Sequence, residues 1–130
     1  MLKILSLETG LMKTNCYIVY DDIDSQALII DPGDDADFII DKIKCLFLEP
    51  FEIVSTHGHF DHNMATFELQ KTLKIPFFIS EKDLSILKNI SSSAKHFLNI
   101  TDVYIPKPDK FTSNDSKINL NISYFKVIEI

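Results

Sequence analysis

Long apolar runs are missing from this sequence. None approaches the roughly 20 apolar residues that a membrane-spanning helix needs, and Glu8 interrupts the apolar start too early for the core of a signal peptide. Basic residues are also scarce, with 13 lysines and arginines against 19 aspartates and glutamates. The resulting net charge of -6 makes nucleic acid and anionic membranes poor general partners. These absences predict a cytoplasmic protein that binds neither nucleic acid nor membrane.

Cysteine is equally sparse. Cys16 and Cys45 lie far apart in apolar contexts and lack the close spacing of a metal-binding pair, so both are predicted to be buried free thiols. A length of 130 residues, 45% of them hydrophobic, suits one domain with one core, and we see no internal repeat. Residues 1–130 are therefore predicted to form a single domain.

Short apolar runs alternate with helical patterns along the chain. An antiparallel meander is predicted first, and later strands follow Pro50, Ile75 and the last polar segment; the predicted strands are 2–8, 15–21, 26–31, 51–55, 76–79, 117–122 and 124–130. Apolar residues at helical spacing predict helices over 35–47 and 63–73, and a third helix carrying Leu84, Leu87 and Ile90. The segment 91–117 is predicted to be mostly irregular, with a short strand at 103–105.

The highest density of potential metal ligands is in residues 55–62, Ser-Thr-His-Gly-His-Phe-Asp-His. In an extended segment His57 and His59 point the same way, so they can bind one metal ion. Asp61 continues that spacing and His62 begins the following helix, so these two can address a second point nearby. Neutral imidazole with one carboxylate suits zinc, and also iron or manganese, and such an ion lowers the pKa of a bound water. The segment therefore predicts a metal-dependent hydrolase.

Two further residues are candidates for a role at such a site. His96 lies in a polar stretch and is predicted to be an exposed loop residue rather than a ligand. Asp31 ends an apolar strand directly before Pro32-Gly33, where aspartate is usually a turn former. Its carboxylate could also point toward the histidine segment and hydrogen-bond there. Of these two roles for Asp31, the sequence favours the turn.

The segment 56–62, together with Asn15-Cys16-Tyr17-Ile18-Val19 and Ile29-Ile30-Asp31-Pro32-Gly33, resembles the metallo-β-lactamase superfamily and, within it, the glyoxalase II-like hydrolases. The resemblance covers the whole chain as an N-terminal portion. It implies an α+β fold that is half of an αββα sandwich, with a mixed or antiparallel sheet and helices on one face.

The same resemblance implies a dinuclear site and a reaction. His57 and His59 would bind the first metal ion, zinc in the first instance, and Asp61 and His62 would bind the second. A hydroxide between the two ions would attack a small-molecule thioester or ester, with Asp61 also orienting that hydroxide.

The sequence departs from the family pattern at its end. In the family, the strand resembling 124–130 leads into a turn whose histidine completes the first metal site, and a bridging aspartate and a last histidine follow; the chain ends before all three. A half sandwich also leaves an apolar sheet face open, which we expect a second copy or a separately encoded C-terminal half to cover. The alternatives to a complete hydrolase are a non-catalytic module that binds metal or oligomerises, and one half of a two-chain enzyme.

Overall fold

The computed structural model describes residues 1–120 and 123–128. In chain order the elements are β1 (Leu2–Thr9), β2 (Thr14–Asp21), β3 (Gln26–Ile30), α1 (Ala36–Cys45), β4 (Glu49–Val54), α2 (Thr66–Leu73), β5 (Phe77–Ser80), α3 (Leu84–Leu87), α4 (Ile90–Leu98), β6 (Lys110–Thr112), β7 (Lys117–Leu120) and β8 (Ser123–Lys126). Short 3₁₀ helices at Phe60–His62 and Glu81–Asp83 lead into α2 and α3. Among the residues described, no helix combines the length and apolar character needed to span a membrane.

The main sheet has six strands in the order β1-β2-β3-β4-β5-β6. The first three form the predicted antiparallel meander, whereas β3 to β6 pair in parallel. Parallel neighbours need a crossover, and α1 and α2 supply it between β3 and β4 and between β4 and β5. The carboxyl ends of β3, β4 and β5 therefore lie along one edge of the sheet. The predicted mixed sheet is confirmed.

The helices all pack on one face of this sheet, as predicted. Alternate strand residues such as Ile18, Ile53 and Phe77 are fully buried there against Ile39 of α1 and Leu69 of α2. Side chains at i and i+2 of a strand lie on the same side of the sheet, so the apolar residues of neighbouring strands form one core with the helices.

The opposite face is covered in part by the hairpin of β7 and β8, which forms a sheet of its own. Leu28 and Val54 of the main sheet are buried there beneath Ile118 of β7. On β1 and β2, beyond this hairpin, Ile4 is 70% exposed and Tyr17 is 38% exposed. Apolar side chains of this face are therefore open to solvent at the β1 edge.

The region after Ile90 is more regular than the sequence predicted. α4 occupies Ile90–Leu98, and the strand predicted at 103–105 is wrong, because those residues are irregular and the next strand begins at Lys110. Serines prefer caps and turns to helix interiors, so the three serines at 91–93 favoured an irregular segment in the sequence-based prediction. Ile90 and Ala94, four residues apart, are buried on the core, so packing outweighs the low helix propensity.

Two single-residue predictions are corrected in part. Cys16 and Cys45 are free thiols, but only Cys16 is buried, and Cys45 is exposed at the end of α1. Burial, reinforced by the charge of Asp31, raises the pKa of the Cys16 thiol to about 12. His96 is exposed as predicted, but it lies on α4 rather than in a loop. The ends of the last two predicted strands, 121–122 and 129–130, lie outside the described residues.

A buried carboxylate lies on the sheet face opposite the helices. Glu52 of β4 is 8% exposed, and its Oε1 has no hydrogen-bond partner among the residues described. It borders a cavity of about 350 Å³ that Lys110, Lys117 and Asn119 also line. Burial raises the pKa of Glu52 to about 7, although the nearby ammonium of Lys110 acts in the opposite direction.

Because of Glu52, the free energy of unfolding should fall as the pH rises from 4.5 to about 7. The ordinary pKa of the Glu52 carboxyl is 4.5, so between that value and about 7 the folded chain holds a proton that the unfolded chain has lost. The stabilisation of the folded chain by this proton is fully present below pH 4.5 and is lost as the pH rises through about 7. Replacing the carboxyl by an amide, Glu52→Gln, should raise the free energy of unfolding by about 2 kcal/mol near pH 8 and change it little near pH 5.

Urea unfolding at the two pH values measures this difference. Glu49→Gln is the matched control, because Glu49 lies on the same strand and is exposed. An equal effect of Glu52→Gln at both pH values would contradict the assignment of the titrating group.

Candidate metal centre

The histidine loop, residues 55–62, begins where β4 ends at the carboxyl edge of the parallel strands. The backbone N–H of Ser55 still donates to the Phe78 carbonyl of β5 at 3.0 Å. The chain then turns through the 3₁₀ helix Phe60–His62. The strand end thus fixes the start of the loop, and the 3₁₀ turn brings its last ligand candidates back toward the sheet.

Two glycines allow close approach of backbone to this loop. A Cβ atom on Gly33 would lie 2.3 Å from the Asp61 carbonyl oxygen, and one on Gly58 would lie 2.6 Å from the Asp83 carbonyl oxygen. Because both obstacles are backbone atoms, a larger residue at either position would displace the loop. The two glycines therefore set how closely the loop lies against the turn after β3 and against the start of α3.

Three imidazole rings pack against one another in the loop. The ring centroids of His57 and His59 are 4.6 Å apart, and those of His57 and His62 are 4.1 Å apart, both pairs in edge-to-face orientation. Burial lowers the pKa of His57 from its ordinary 6.5, and charge on His62 would lower it further, while Asp31 acts in the opposite direction. A neutral imidazole is the form that binds a metal ion, so this cluster suits ligation.

Asp31 connects the turn after β3 to the histidine loop. Its Oδ1 accepts a hydrogen bond from the Thr56 backbone N–H at 2.7 Å, and its Oδ2 accepts from the Thr56 hydroxyl at 2.6 Å and from Nδ1 of His62 at 3.1 Å. The residue also has a φ of 53°, in the left-handed region that suits turns. Asp31 therefore has both of the roles that the sequence left open, and its carboxylate is 5% exposed.

The two nitrogens of His62 face different carboxylates. With Nδ1 donating to Asp31, Nε2 is the nitrogen available to a metal ion, and it lies 3.6 Å from Oδ2 of Asp61. The same Asp61 oxygen accepts a hydrogen bond from the Thr14 hydroxyl at 3.2 Å. A carboxylate hydrogen-bonded to one ring nitrogen of a histidine fixes the orientation of the ring, and behind a metal-binding histidine it also raises the basicity of the other nitrogen. Asp31 makes such a hydrogen bond to His62.

Asp31, His57 and His62 form the tight group of potential ligands in the described part of the chain, with one ligand atom from each within 4.8 Å of the others. The assignment of His57, His59, Asp61 and His62 as ligands stays a prediction. His59 and Asp61 adjoin this group through the contacts with His57 and His62 given above. Imidazole nitrogens with carboxylate oxygens are a donor set that fits zinc, iron or manganese.

The contacts of Asn63 with the histidine loop are not predictable from the sequence pattern. Its side chain is fully buried; Nδ2 donates to the carbonyl oxygens of His57 at 2.9 Å and His59 at 2.8 Å, and Oδ1 accepts from the Ser55 hydroxyl. Asn63 was predicted as the first residue of a helix that in fact begins at Thr66. No spacing rule identifies such a residue, because its partners are backbone carbonyls whose positions depend on the folded loop.

Cavities flank the histidine loop on two sides. One of about 570 Å³ is bordered by His57, and another of about 410 Å³ is bordered by His59, Asp61 and Phe97. These volumes fall within the range of about 300–1,000 Å³ typical of small-molecule sites. A substrate in either cavity would reach the histidine cluster.

Comparison with known proteins agrees with this geometry. A family model described as the metallo-beta-lactamase superfamily matches residues 9–118. The hydroxyacylglutathione hydrolase GloC of Haemophilus influenzae is 32% identical over 106 residues, covering 80% of this chain and 49% of GloC. The chain spans about half the length of the curated relatives it matches.

Solved structures of related proteins superpose on most of the chain. The BLEG-1 B3 metallo-beta-lactamase gives a TM-score of 0.81 at 28% identity, over 97% of this chain and 59% of that one. TTHA1623, solved in a di-iron-bound form, gives a TM-score of 0.74 at 25% identity, over 88% of this chain and 56% of that one.

Proposed function

The chain belongs to the metallo-beta-lactamase superfamily, and on that premise we propose that it binds metal ions and serves in the hydrolysis of a small-molecule thioester or ester. The observation that carries this proposal is the packing of the His59 and His62 imidazoles against the ring of His57, with Asp61 beside Nε2 of His62. The relative named hydroxyacylglutathione hydrolase supports a glyoxalase II-like substrate.

In this proposal His57 and His59 hold one metal ion, and Asp61 and His62 hold a second. When bound, such an ion lowers the pKa of a water molecule so that hydroxide forms near neutral pH. Asp61, held by the hydroxyl of Thr14, orients the attacking water through its carboxylate. Asp31 acts behind the ligands by fixing which nitrogen of His62 carries the proton.

The identity of the metal is part of the proposal. Zinc suits the imidazole and carboxylate donors, and iron or manganese are the alternatives. The related TTHA1623 in its di-iron-bound form supports keeping iron among them.

We also propose a covering partner for the exposed apolar part of the sheet. Ile4 and Tyr17 lie on adjacent strands on the face opposite the helices, and both are open to solvent. A second copy of the chain in a homodimer would bury them, as would a polypeptide corresponding to the remaining half of the longer relatives.

Metal loading combined with a thioester assay tests the proposed function. Zinc, iron(II) and manganese(II) should each raise the midpoint of thermal unfolding of the metal-free chain. A metal ion whose free concentration is 100 times its Kd adds about 2.7 kcal/mol to the free energy of unfolding. Magnesium, which prefers oxygen ligands and keeps its own waters, should not. The loaded chain should hydrolyse a simple acetyl thioester, and a chelator should stop it.

Two outcomes would count against this function. Equal stabilisation by magnesium and zinc would contradict the histidine-based metal centre. Stabilisation by zinc without turnover of any ester or thioester would support the alternative of a non-catalytic metal-binding module.

A further inference from the structure

The cavity bordered by Glu52 lies between the main sheet and β7 of the hairpin, and its volume is about 350 Å³. Val54 of β4 pairs with Phe78 of β5, and Phe78 pairs with Lys110 of β6, so these three side chains share the sheet face opposite the helices. Glu52, two residues before Val54, lies on the same face. A carboxyl group and an ammonium group thus border one cavity from strands that are two apart in the sheet.

The carboxyl of Glu52 lacks the donors that a buried acid needs. The residue is 8% exposed, and its Oε1 accepts no hydrogen bond from the part of the chain that the structure describes. Lys110 acts on Glu52 through its charge, yet its ammonium donates no hydrogen bond to that oxygen. An ionised carboxylate that is buried without a donor is unfavourable. A ligand that brings a positively charged donor would satisfy this oxygen.

The rest of the lining defines what else such a ligand must carry. Lys117 also borders the cavity, but its ammonium lies 4.8 Å from the centroid of the Tyr124 ring, so Lys110 is the cation that we assign to a bound anion. Phe78 and Ile118 provide apolar surface. Lys110 would repel a simple cation, and a simple anion would leave Glu52 without a donor. A molecule with both charges and an apolar body meets all of these conditions.

We propose that this cavity binds a small zwitterion, an α-amino acid with an apolar side chain, whose ammonium contacts Glu52 and whose carboxylate contacts Lys110. The proposed hydrolytic function is not a premise of this site, because none of the residues of the histidine loop is among the described residues that line the cavity.

Three ligands that differ by one charged group test the site. L-Leucine carries both charges, 4-methylpentanoate lacks only the ammonium group, and 3-methylbutylamine lacks only the carboxylate. Their dissociation constants are measured by calorimetry at pH 8, where the carboxyl of Glu52 is ionised. EDTA is present, so that leucine cannot bind through a metal ion. Leucine should bind at least about 10-fold more tightly than either analogue.

Two single variants assign the charged groups. In Glu52→Gln leucine should lose its advantage over 4-methylpentanoate, and in Lys110→Met it should lose its advantage over 3-methylbutylamine, while the other advantage is kept. The Glu52→Gln chain is expected to be more stable than the unchanged chain at pH 8, so unfolding would not explain its loss of binding. The controls Glu49→Gln, on the same strand, and Lys117→Met, at the border of the cavity, should keep both ratios within about twofold.

No binding of leucine at about 10 mM would overturn the proposal, and a cavity that holds only water would give this result. An advantage of leucine that persists unchanged in Glu52→Gln or in Lys110→Met would also overturn it, because the charged group of the ligand would then lie elsewhere. Hydrolysis has no part in these measurements, so a failure of this site and a failure of the proposed function are distinguishable.

Discussion

An Asp61→Asn chain should hydrolyse a thioester about 10³-fold more slowly than the unchanged chain under the same metal load. The amide keeps the shape of the side chain and can still accept the hydrogen bond from Thr14, but it loses the negative charge beside His62. Without that charge the side chain neither orients an attacking water as strongly nor neutralises a metal ion as well.

The measurement is kcat from initial rates, with metal content determined in the same protein samples. Asp37→Asn is the matched control, because it removes one carboxylate from an exposed position in the first turn of α1. His57 and His59 are unchanged in the variant, so we expect at least one metal ion to stay bound. A kcat within about threefold of the unchanged chain, with full metal content, would exclude Asp61 from the catalytic step.

The sequence predicted the order of strands and helices around the site because local patterns determined it. Short apolar runs that contain Ile18, Ile29 and Ile53 mark strands, and the histidine loop directly follows the run that contains Ile53. The mixed sheet then follows, since α1 and α2 connect strands that must run parallel. These features depend on residues close together in the chain, where periodicity is informative.

Features that depend on distant residues could not be predicted in the same way. Asp31 lies 25 residues before Thr56, and whether its carboxylate points at the loop depends on the parallel pairing of β3 with β4. The contact of Thr14 with Asp61 spans 47 residues and depends on the antiparallel meander. The helix α4 was missed for a related reason, because it is stabilised by the burial of Ile90 and Ala94 in the core rather than by its serines.

The glycines show why spacing alone does not define the metal centre. The rule that residues at i and i+2 share one side brings His57 and His59 together, and their rings do adjoin. His62 reaches the same cluster only because the chain turns through a 3₁₀ helix whose Asp61 carbonyl lies against Gly33. The convergence of the candidate ligands thus depends on a contact between two turns.

An Asp31→Ala chain should lose both stability and metal affinity. The substitution leaves the Thr56 N–H and hydroxyl and the His62 ring without a buried acceptor, and it places alanine at a φ of 53°. We expect the free energy of unfolding to fall by about 3 kcal/mol, because each unmet buried donor costs about 1–3 kcal/mol and partial relaxation recovers some of it. The affinity for zinc should fall by about 10–100-fold, as when the carboxylate behind a ligating histidine is removed.

Two further substitutions separate the turn role of Asp31 from its hydrogen-bonding role. Asp31→Gly accepts the positive φ without strain but provides no acceptor, so a turn role alone predicts a chain as stable as the original. Asp31→Asn also tolerates this φ and can accept from the Thr56 N–H, but its amide group cannot accept from His62 at the same time. We expect the loss of stability and of zinc affinity to be largest in Asp31→Ala, smaller in Asp31→Gly and smallest in Asp31→Asn. Zinc affinity is measured by competition against a chromophoric chelator. Unchanged zinc affinity in the Asp31→Gly chain would show that the contact with His62 does not prepare the metal centre, and would leave Asp31 as a turn residue only.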